Sequence, residues 1–427
     1  MRVKLEYGRD GLWIDVPDGN LVAVLNSEDK PAAPDPTALI EQSLADPIGS
    51  EPLAELARGK RSACVVITDF TRPIRNDVIL PPVLAALEQA QVPEIKVLIA
   101  NGIHRPMTGE EIRRSVGEAV AERYPVLNHL GREKDAVDFV GKTRRGTPVH
   151  LNKTYLGSDF RVITGLVEPH MYAGYSGGRK SIAIGVAGID TVSVIHSPKF
   201  LEDDSLRPGN VRDNIFHQEA VEIARMAPAQ FCVNVTINHS REITDVFSGH
   251  MIACHEAAME AVRKTSGQDL SEPVDIAITT NAGYPADLNL YQAGKGIQAG
   301  TNIVKPGGTV IFAAELCEGL GGKEFSELIL AGESPDAIMK TLTTPGFFEI
   351  DQWGAESIIK ALRKGEVMVY SKGLPPETIR QCFLTPIESV ESGIKSALRK
   401  HGADATIAVI PKGPYVIGNI QESTDHG

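Results

Sequence analysis

Cysteine is scarce in this 427-residue chain: there are five, with no C-x-x-C pair, so neither a disulfide framework nor a cysteine-rich zinc site is expected. Basic charge is also in deficit. Against 55 Asp and Glu stand 43 Lys and Arg, a formal net charge of −12, whereas a nucleic-acid coat or an anionic-membrane binder needs a basic face. No apolar run approaches the roughly 18 residues of a membrane span. The opening MRVKLEYGRDGLWIDV breaks into charges at once and lacks the apolar centre of a signal peptide. Internal repeats and low-complexity stretches are missing as well. These absences point to a soluble cytoplasmic protein with no nucleic-acid and no membrane partner.

What is present is an ordinary globular composition, 42% hydrophobic and 23% charged, on a chain long enough for more than one domain. Short β-branched runs recur: SACVVITDF (62–70), IKVLIANGIH (95–104), FRVITGLVEPH (160–170), CVNVTIN (232–238), VDIAITTNAG (274–283), TVIFAAEL (309–316), VMVYSKG (367–373) and TIAVIPKG (406–413). Each reads as a buried parallel strand. Between them lie amphipathic stretches such as PPVLAALEQAQ (81–91) and HEAAMEAVRKTSG (255–267), the latter ended by Gly267. The expected class is α/β, with two α/β domains of mainly parallel sheets flanking an active-site cleft. A Pro-rich stretch, 26–38, reads as a surface loop after an N-terminal hairpin, and composition changes again near 266–273. The expected division is a discontinuous substrate-side domain, 1–95 with 270–427, and a middle domain, 105–265, carrying a cofactor lysine.

In sheets of this kind ligands sit beyond the carboxyl ends of the strands. Polar residues fall there: Asp69, Thr71 and Arg72, Asn101 and His104, Glu168 and His170, Asn281 and Tyr284. Their number argues for one shared cleft. The densest segment is EPHMYAGYSGGRKSIAIGVAGIDTV (168–192). Gly174, Gly177 and Gly178 leave backbone N–H groups open to an anion, and Arg179, Lys180 and Ser181 add charge and a hydroxyl at a helix start. It is not a Walker A loop, because Arg179 stands where that motif needs Gly. Lys180 reads either as a phosphate counter-charge or, with its pKa depressed by Arg179, as a nucleophile able to bond a cofactor. His196 has no second histidine at metal-ligand spacing, and by itself reads as structural. Gln292 and Lys295 share one face of a helix beginning near Asp287 or Leu288 and suit a carboxylate, or else a solvated face. Trp353 is either core or a lid over a ligand.

In chain order, Asp69-Phe-Thr-Arg72-Pro, Asn101-Gly-Ile-His104-Arg, Glu168-Pro-His170, Ser176-Gly-Gly-Arg-Lys180-Ser, His196, Gln292-x-x-Lys295 and Trp353 resemble the nickel-dependent lactate racemase family, over about residues 5–415. The nearest lookalikes, P-loop and Rossmann enzymes, would show fingerprints that are missing here. The resemblance implies a racemase or epimerase inverting C2 of a 2-hydroxy acid, lactate-like or larger, with a nickel-pincer nucleotide as cofactor and cofactor-building proteins as maturation partners. It implies that Lys180 carries the cofactor as a thioamide and that His196 is the protein's nickel ligand. The Gly174–Ser181 loop, with Ser176, Gly177, Gly178 and Arg179, would cradle the nucleotide phosphate, and Asp69 and Trp353 would order the cofactor side. His104 and His170 would be the catalytic acid–base pair, serving hydride removal and return, while Arg72, Gln292 and Lys295 grip the substrate. Arg75 is an extra cation that would favour a larger or doubly charged substrate if it faced the cleft. The rival readings are a nucleotide-dependent dehydrogenase or phosphotransferase and a non-enzymatic nickel or cofactor carrier.

Overall fold

In the computed structural model, which describes residues 1–420, the alternation of β-branched runs and amphipathic stretches becomes two α/β units, each built on a six-stranded sheet. The first sheet has the order Ile243–Gly249, Phe231–Ile237, Phe160–Leu166, Ser62–Thr68, Glu94–Ala100, Val126–Asn128. Its pairs are parallel except at the Ile243–Gly249 edge. The second has the order Thr385–Pro386, Glu366–Tyr370, Val304–Ala313, Val274–Thr280, Ile407–Ile410, Leu21–Val24, all parallel. Central strands such as Ser62–Thr68 are buried on both faces because helices cover both, which is why their sequences run apolar without alternation.

The division into units differs from the expected one. Residues 1–25 do lie with 270–420: the hairpin Arg2–Leu5/Leu12–Asp15 shares a core with Ile276, Ile278 and Ile407, and Leu21–Val24 pairs with Ile407–Ile410. Ser62–Thr68, expected on that side, belongs instead to the sheet of the middle unit, where it pairs with Phe160–Leu166 and with Glu94–Ala100, a strand that fell between the two expected domains. Parallel strands buried on both faces look alike in sequence, and only the register of partners assigns them to a sheet. The chain therefore crosses between units twice, through the segment after Val24 and again near Gly267–Leu270.

The helix that carries Gln292 and Lys295 starts at Leu290, two to three residues later than the sequence suggested, and runs to Ile303; it is capped by Asn289, whose side chain accepts from the Gln292 amide. Gly296 lets this helix press on the second sheet: a Cβ there would lie 2.3 Å from the Thr280 carbonyl oxygen and 2.8 Å from the Phe312 ring. That close approach sets the height at which Gln292 and Lys295 leave the helix. Gly296→Ala should accordingly lose about 1–3 kcal/mol in chemical denaturation. Gly19→Ala, where a Cβ meets nothing within 4 Å, should change stability by less than about 0.5 kcal/mol.

Candidate active site

Three strand ends of the first sheet and two helix starts of the second unit converge on one cleft. Ser62–Thr68 delivers Asp69, Thr71 and Arg72; Glu94–Ala100 delivers Asn101 and His104; Phe160–Leu166 delivers the turn bearing His170. Ser176 folds that turn, its hydroxyl donating to the Leu166 carbonyl (2.7 Å) and accepting from the Glu168 amide (3.0 Å). Lys180 and Ser181 then open one wide helical turn, and His196 ends helix Ile189–Ile195. From the other side come Tyr291, Gln292 and Lys295 on Leu290–Ile303, and Trp353 and Ser357 on Gln352–Lys364.

The three cleft histidines have different protonation built into their surroundings. His104 Nδ1 lies 2.7 Å from Asp69 Oδ2, and Thr71 donates to the other Asp69 oxygen through its hydroxyl (2.5 Å) and its amide (3.2 Å). Burial alone would raise the Asp69 pKa, but the hydrogen bonds and charges of His104, Thr71 and Arg72 hold it below the usual carboxylate value. As a carboxylate it fixes the His104 proton on Nδ1, leaving Nε2 as a proton acceptor. Asp69 is therefore the orienting partner of His104, which corrects its expected place on the cofactor side. His196 is likewise fixed by its Nδ1–H, which donates to the Val192 carbonyl (3.0 Å) and leaves an Nε2 lone pair. Burial pushes its pKa down to about 3.

His170 is the reverse case. Its Nδ1 accepts from the backbone amides of Tyr172 and Ala173, both at 3.2 Å, so in the neutral ring the proton sits on Nε2. That Nε2 lies 2.6 Å from Lys180 Nζ. A ring N–H facing nitrogen at hydrogen-bond distance needs a lone pair opposite, so Lys180 is a neutral amine. Burial, then the charges of Arg72 and Lys295, hold it well below the ordinary lysine value. Lys295, which donates to Gln292 Oε1 at 3.2 Å, is lowered to about 8 by burial and by Arg72. The cations that remain in the cleft are Arg72, whose Nε lies 4.0 Å from the Glu168 carboxylate, and Lys295, and these two side chains can grip an anion.

Other expected residues lie elsewhere. Gly174, Gly178 and Arg179 do not line the cleft. Arg179 turns inward, donating to His255 Nδ1 (3.0 Å) and His217 Nε2 (3.2 Å), two neutral rings that burial pushes down to about 3 and about 4. His255 donates onward to the Ser176 carbonyl (2.8 Å), so this cluster braces the glycine turn from behind. Arg75 forms a two-pronged pair with Asp77 on the surface. Asn281 is spent on the backbone of Gln292 and Gly296, and Tyr284 lines a separate crevice. The sequence reading missed Tyr172 and Tyr291, whose hydroxyls bond the Trp353 carbonyl (2.9 Å) and indole N–H (2.8 Å) and so hold Trp353 with its ring 5.0 Å from that of His196. The only signal for them was their adjacency to His170 and Gln292.

A neutral lysine acylates at a pH where ordinary lysines are protonated. In the chain expressed alone, limited acylation near pH 7 followed by peptide mass mapping should modify Lys180 and Lys295 ahead of surface lysines such as Lys323. Labelling of Lys180 no faster than Lys323 would contradict the neutral amine.

Two family models match the chain, the lactate racemase N-terminal domain over residues 7–208 and the lactate racemase C-terminal domain over 270–418. Lactate racemase of Thermoanaerobacterium thermosaccharolyticum is 31% identical over 420 residues, 97% of this chain and 98% of that protein. Lactate racemase of Lactiplantibacillus plantarum is 33% identical over 381 residues, covering 88% and 90% of the two. The solved lactate racemase apoprotein of T. thermosaccharolyticum superposes with a TM-score of 0.92, covering 98% of this chain and 100% of that one. A Thermotoga maritima protein at 20% identity shares the fold, with a TM-score of 0.68. By both domains and along almost its whole length, the chain belongs to the lactate racemase family of isomerases.

Proposed function

We propose that the protein inverts C2 of a 2-hydroxy acid, using a nickel-pincer nucleotide attached at Lys180. The observation that carries this reading is the pairing of a neutral Lys180 amine with an unprotonated His196 Nε2 on one cleft. No group of three or more His, Cys, Asp or Glu among the described residues is arranged to hold a metal, so a metal at His196 must bring its other donors with it. The residues fit such a group. Lys180 has the lone pair that a thioamide link needs, and His196 is oriented by a backbone carbonyl as metal-bound histidines are. Thr68 Oγ1, buried at the cleft wall and without a partner among the described residues, offers a further polar contact. Ser176, Gly177, Ser181 and Trp353 line the same space; Gly174, Gly178 and Arg179 shape it from behind. Proteins that build and deliver the cofactor are the implied maturation partners.

When bound, the group supplies a reversible hydride acceptor, which a hydroxy acid needs because its Cα–H is poorly acidic beside an anionic carboxylate. The chain does the rest. Arg72 and Lys295 hold the substrate carboxylate, and Gln292 orients the Lys295 ammonium. His104 Nε2 takes the hydroxyl proton in one direction, and Asp69 stabilises the imidazolium that forms. In the other direction the proton passes through His170, whose ring must first release the Tyr172 and Ala173 amides so that Nδ1 carries hydrogen. Acylation of Lys180 removes the lone pair to which Nε2 donates and frees the ring for that turn. Arg75 is occupied by Asp77, so the cleft presents no additional cation for a second carboxylate, and a monocarboxylic acid such as lactate is the substrate class favoured.

Protein co-expressed with cofactor-building enzymes should gain mass at Lys180, bind nickel and racemise lactate with deuterium at C2 largely retained. Washout of the deuterium into water would replace hydride transfer by proton abstraction at carbon. In the same preparation Lys180→Ala should lose the added mass altogether, while His196→Ala should keep it and bind nickel more weakly. Nickel binding unchanged in His196→Ala would remove that histidine as the ligand. His104→Ala should slow both directions by about 10²-fold or more, and the equilibrium between enantiomers cannot move.

A further inference from the structure

Away from the cleft, unpaired polar atoms gather at one point of the seam between the two units. Glu356, on helix Gln352–Lys364, is 1% exposed, and neither of its carboxyl oxygens has a partner among the described residues. Glu202 Oε1, from the chain just after helix Pro198–Leu201, and Gln298 Oε1, from helix Leu290–Ile303, are unpaired as well. Glu356 and Gln298 border a small cavity together with Tyr172 and Ser357, and these last two also line the cleft.

The cations nearby are committed elsewhere. Arg363 pairs with the other oxygen of Glu202. Lys360 donates to the Leu201 and Asp203 carbonyls at 3.2 and 3.1 Å and lies 3.9 Å from the Asp204 carboxylate. Lys364 donates to the Thr301 carbonyl (2.6 Å), and the Asp203 carboxylate accepts from the Ser205 amide (2.9 Å). The Tyr172 hydroxyl donates to the Trp353 carbonyl. Burial, then the charge of Glu202, push the Glu356 pKa up to about 8. Glu356 is the buried partner, whereas Glu202 is part-exposed and ion-paired with Arg363, so Glu356 is the member that keeps a proton.

We propose that Glu356 is a positioning residue that remains a carboxylic acid while the seam is closed and donates its proton to Glu202 Oε1, tying the helix that carries Trp353 to the unit of the first sheet. A single water in the cavity serves Gln298 and the second Glu356 oxygen. Opening the seam hydrates Glu356 and returns it to its ordinary value of 4.5. The closed form then binds more protons than the open form, so closure weakens as pH rises. Between about 4.5 and about 8 the open-to-closed ratio grows by up to about tenfold per pH unit, and above about 8 it levels off.

Hydrogen exchange read by mass spectrometry on the full chain tests this, because protection reports the open-to-closed ratio even when opening is rare. Corrected for intrinsic exchange rates, protection of residues 352–364 and 198–206 should fall by up to about tenfold per pH unit between about pH 5 and 8. Glu356→Gln keeps a donor to Glu202 that does not titrate, and its protection should be flat over the same range. Glu202→Gln removes the facing charge and gives Glu356 an amide donor but leaves its burial, so the slope should weaken and cover a narrower pH range, which preserves the test if the first variant does not fold. A flat profile in the unmodified protein, or an unchanged slope in either folded variant, overturns the proposal. So does restored protection at pH 8 on adding sodium, potassium or magnesium at constant ionic strength, since a cation, not a proton, would then join the carboxylates.

Discussion

Two backbone amides aimed at one ring nitrogen set the electrostatics of this cleft. Tyr172 and Ala173 give their N–H groups to His170 Nδ1, which puts the ring proton on Nε2, and a proton on Nε2 obliges Lys180 to be an amine. The turn that supplies those amides is held by Ser176, which is braced through His255 by Arg179, and the strand before it is one of the central strands of the first sheet. A nucleophilic amine is thus the outcome of a backbone path, reinforced by burial and by Arg72 and Lys295.

The strands were legible because parallel strands covered on both faces must be apolar along their length, and the cleft because polar residues cluster where those strands stop. Which strand joins which sheet was not legible, and Ser62–Thr68 was placed with the wrong unit for that reason. Within the site, position at strand ends singled out His104 and His170, while Lys180 stayed open between two readings and His196 by itself read as structural; the partners of all four were not legible. Asp69 looked like a cofactor contact and is the orienting carboxylate of His104; Arg179 looked like an anion ligand and is a buried brace. Both differences concern the direction in which a side chain points, and direction depends on backbone geometry that no motif encodes. Tyr172 and Tyr291 were invisible for a related reason: they act on Trp353 from distant positions in the chain.

The seam between the units has a division of labour. Helix Gln352–Lys364 presents Trp353 and Ser357 to the cleft from its first turns, and from its later turns presents Lys360 and Arg363 to the segment around Glu202. One rigid element therefore carries both a wall of the site and the contacts that close it.

The double crossing between units also orders events during synthesis. Leu21–Val24 is made well before its hydrogen-bonding neighbour, Ile407–Ile410. The first sheet, built wholly from residues 62–249, is complete long before that neighbour exists. The N-terminal edge strand must wait, exposed, through the making of an entire folded unit, and its short length of four residues limits the edge it offers to other chains in the meantime. Removing Ile407–Ile410 would therefore leave Leu21–Val24, more than 380 residues earlier, without its pairing partner.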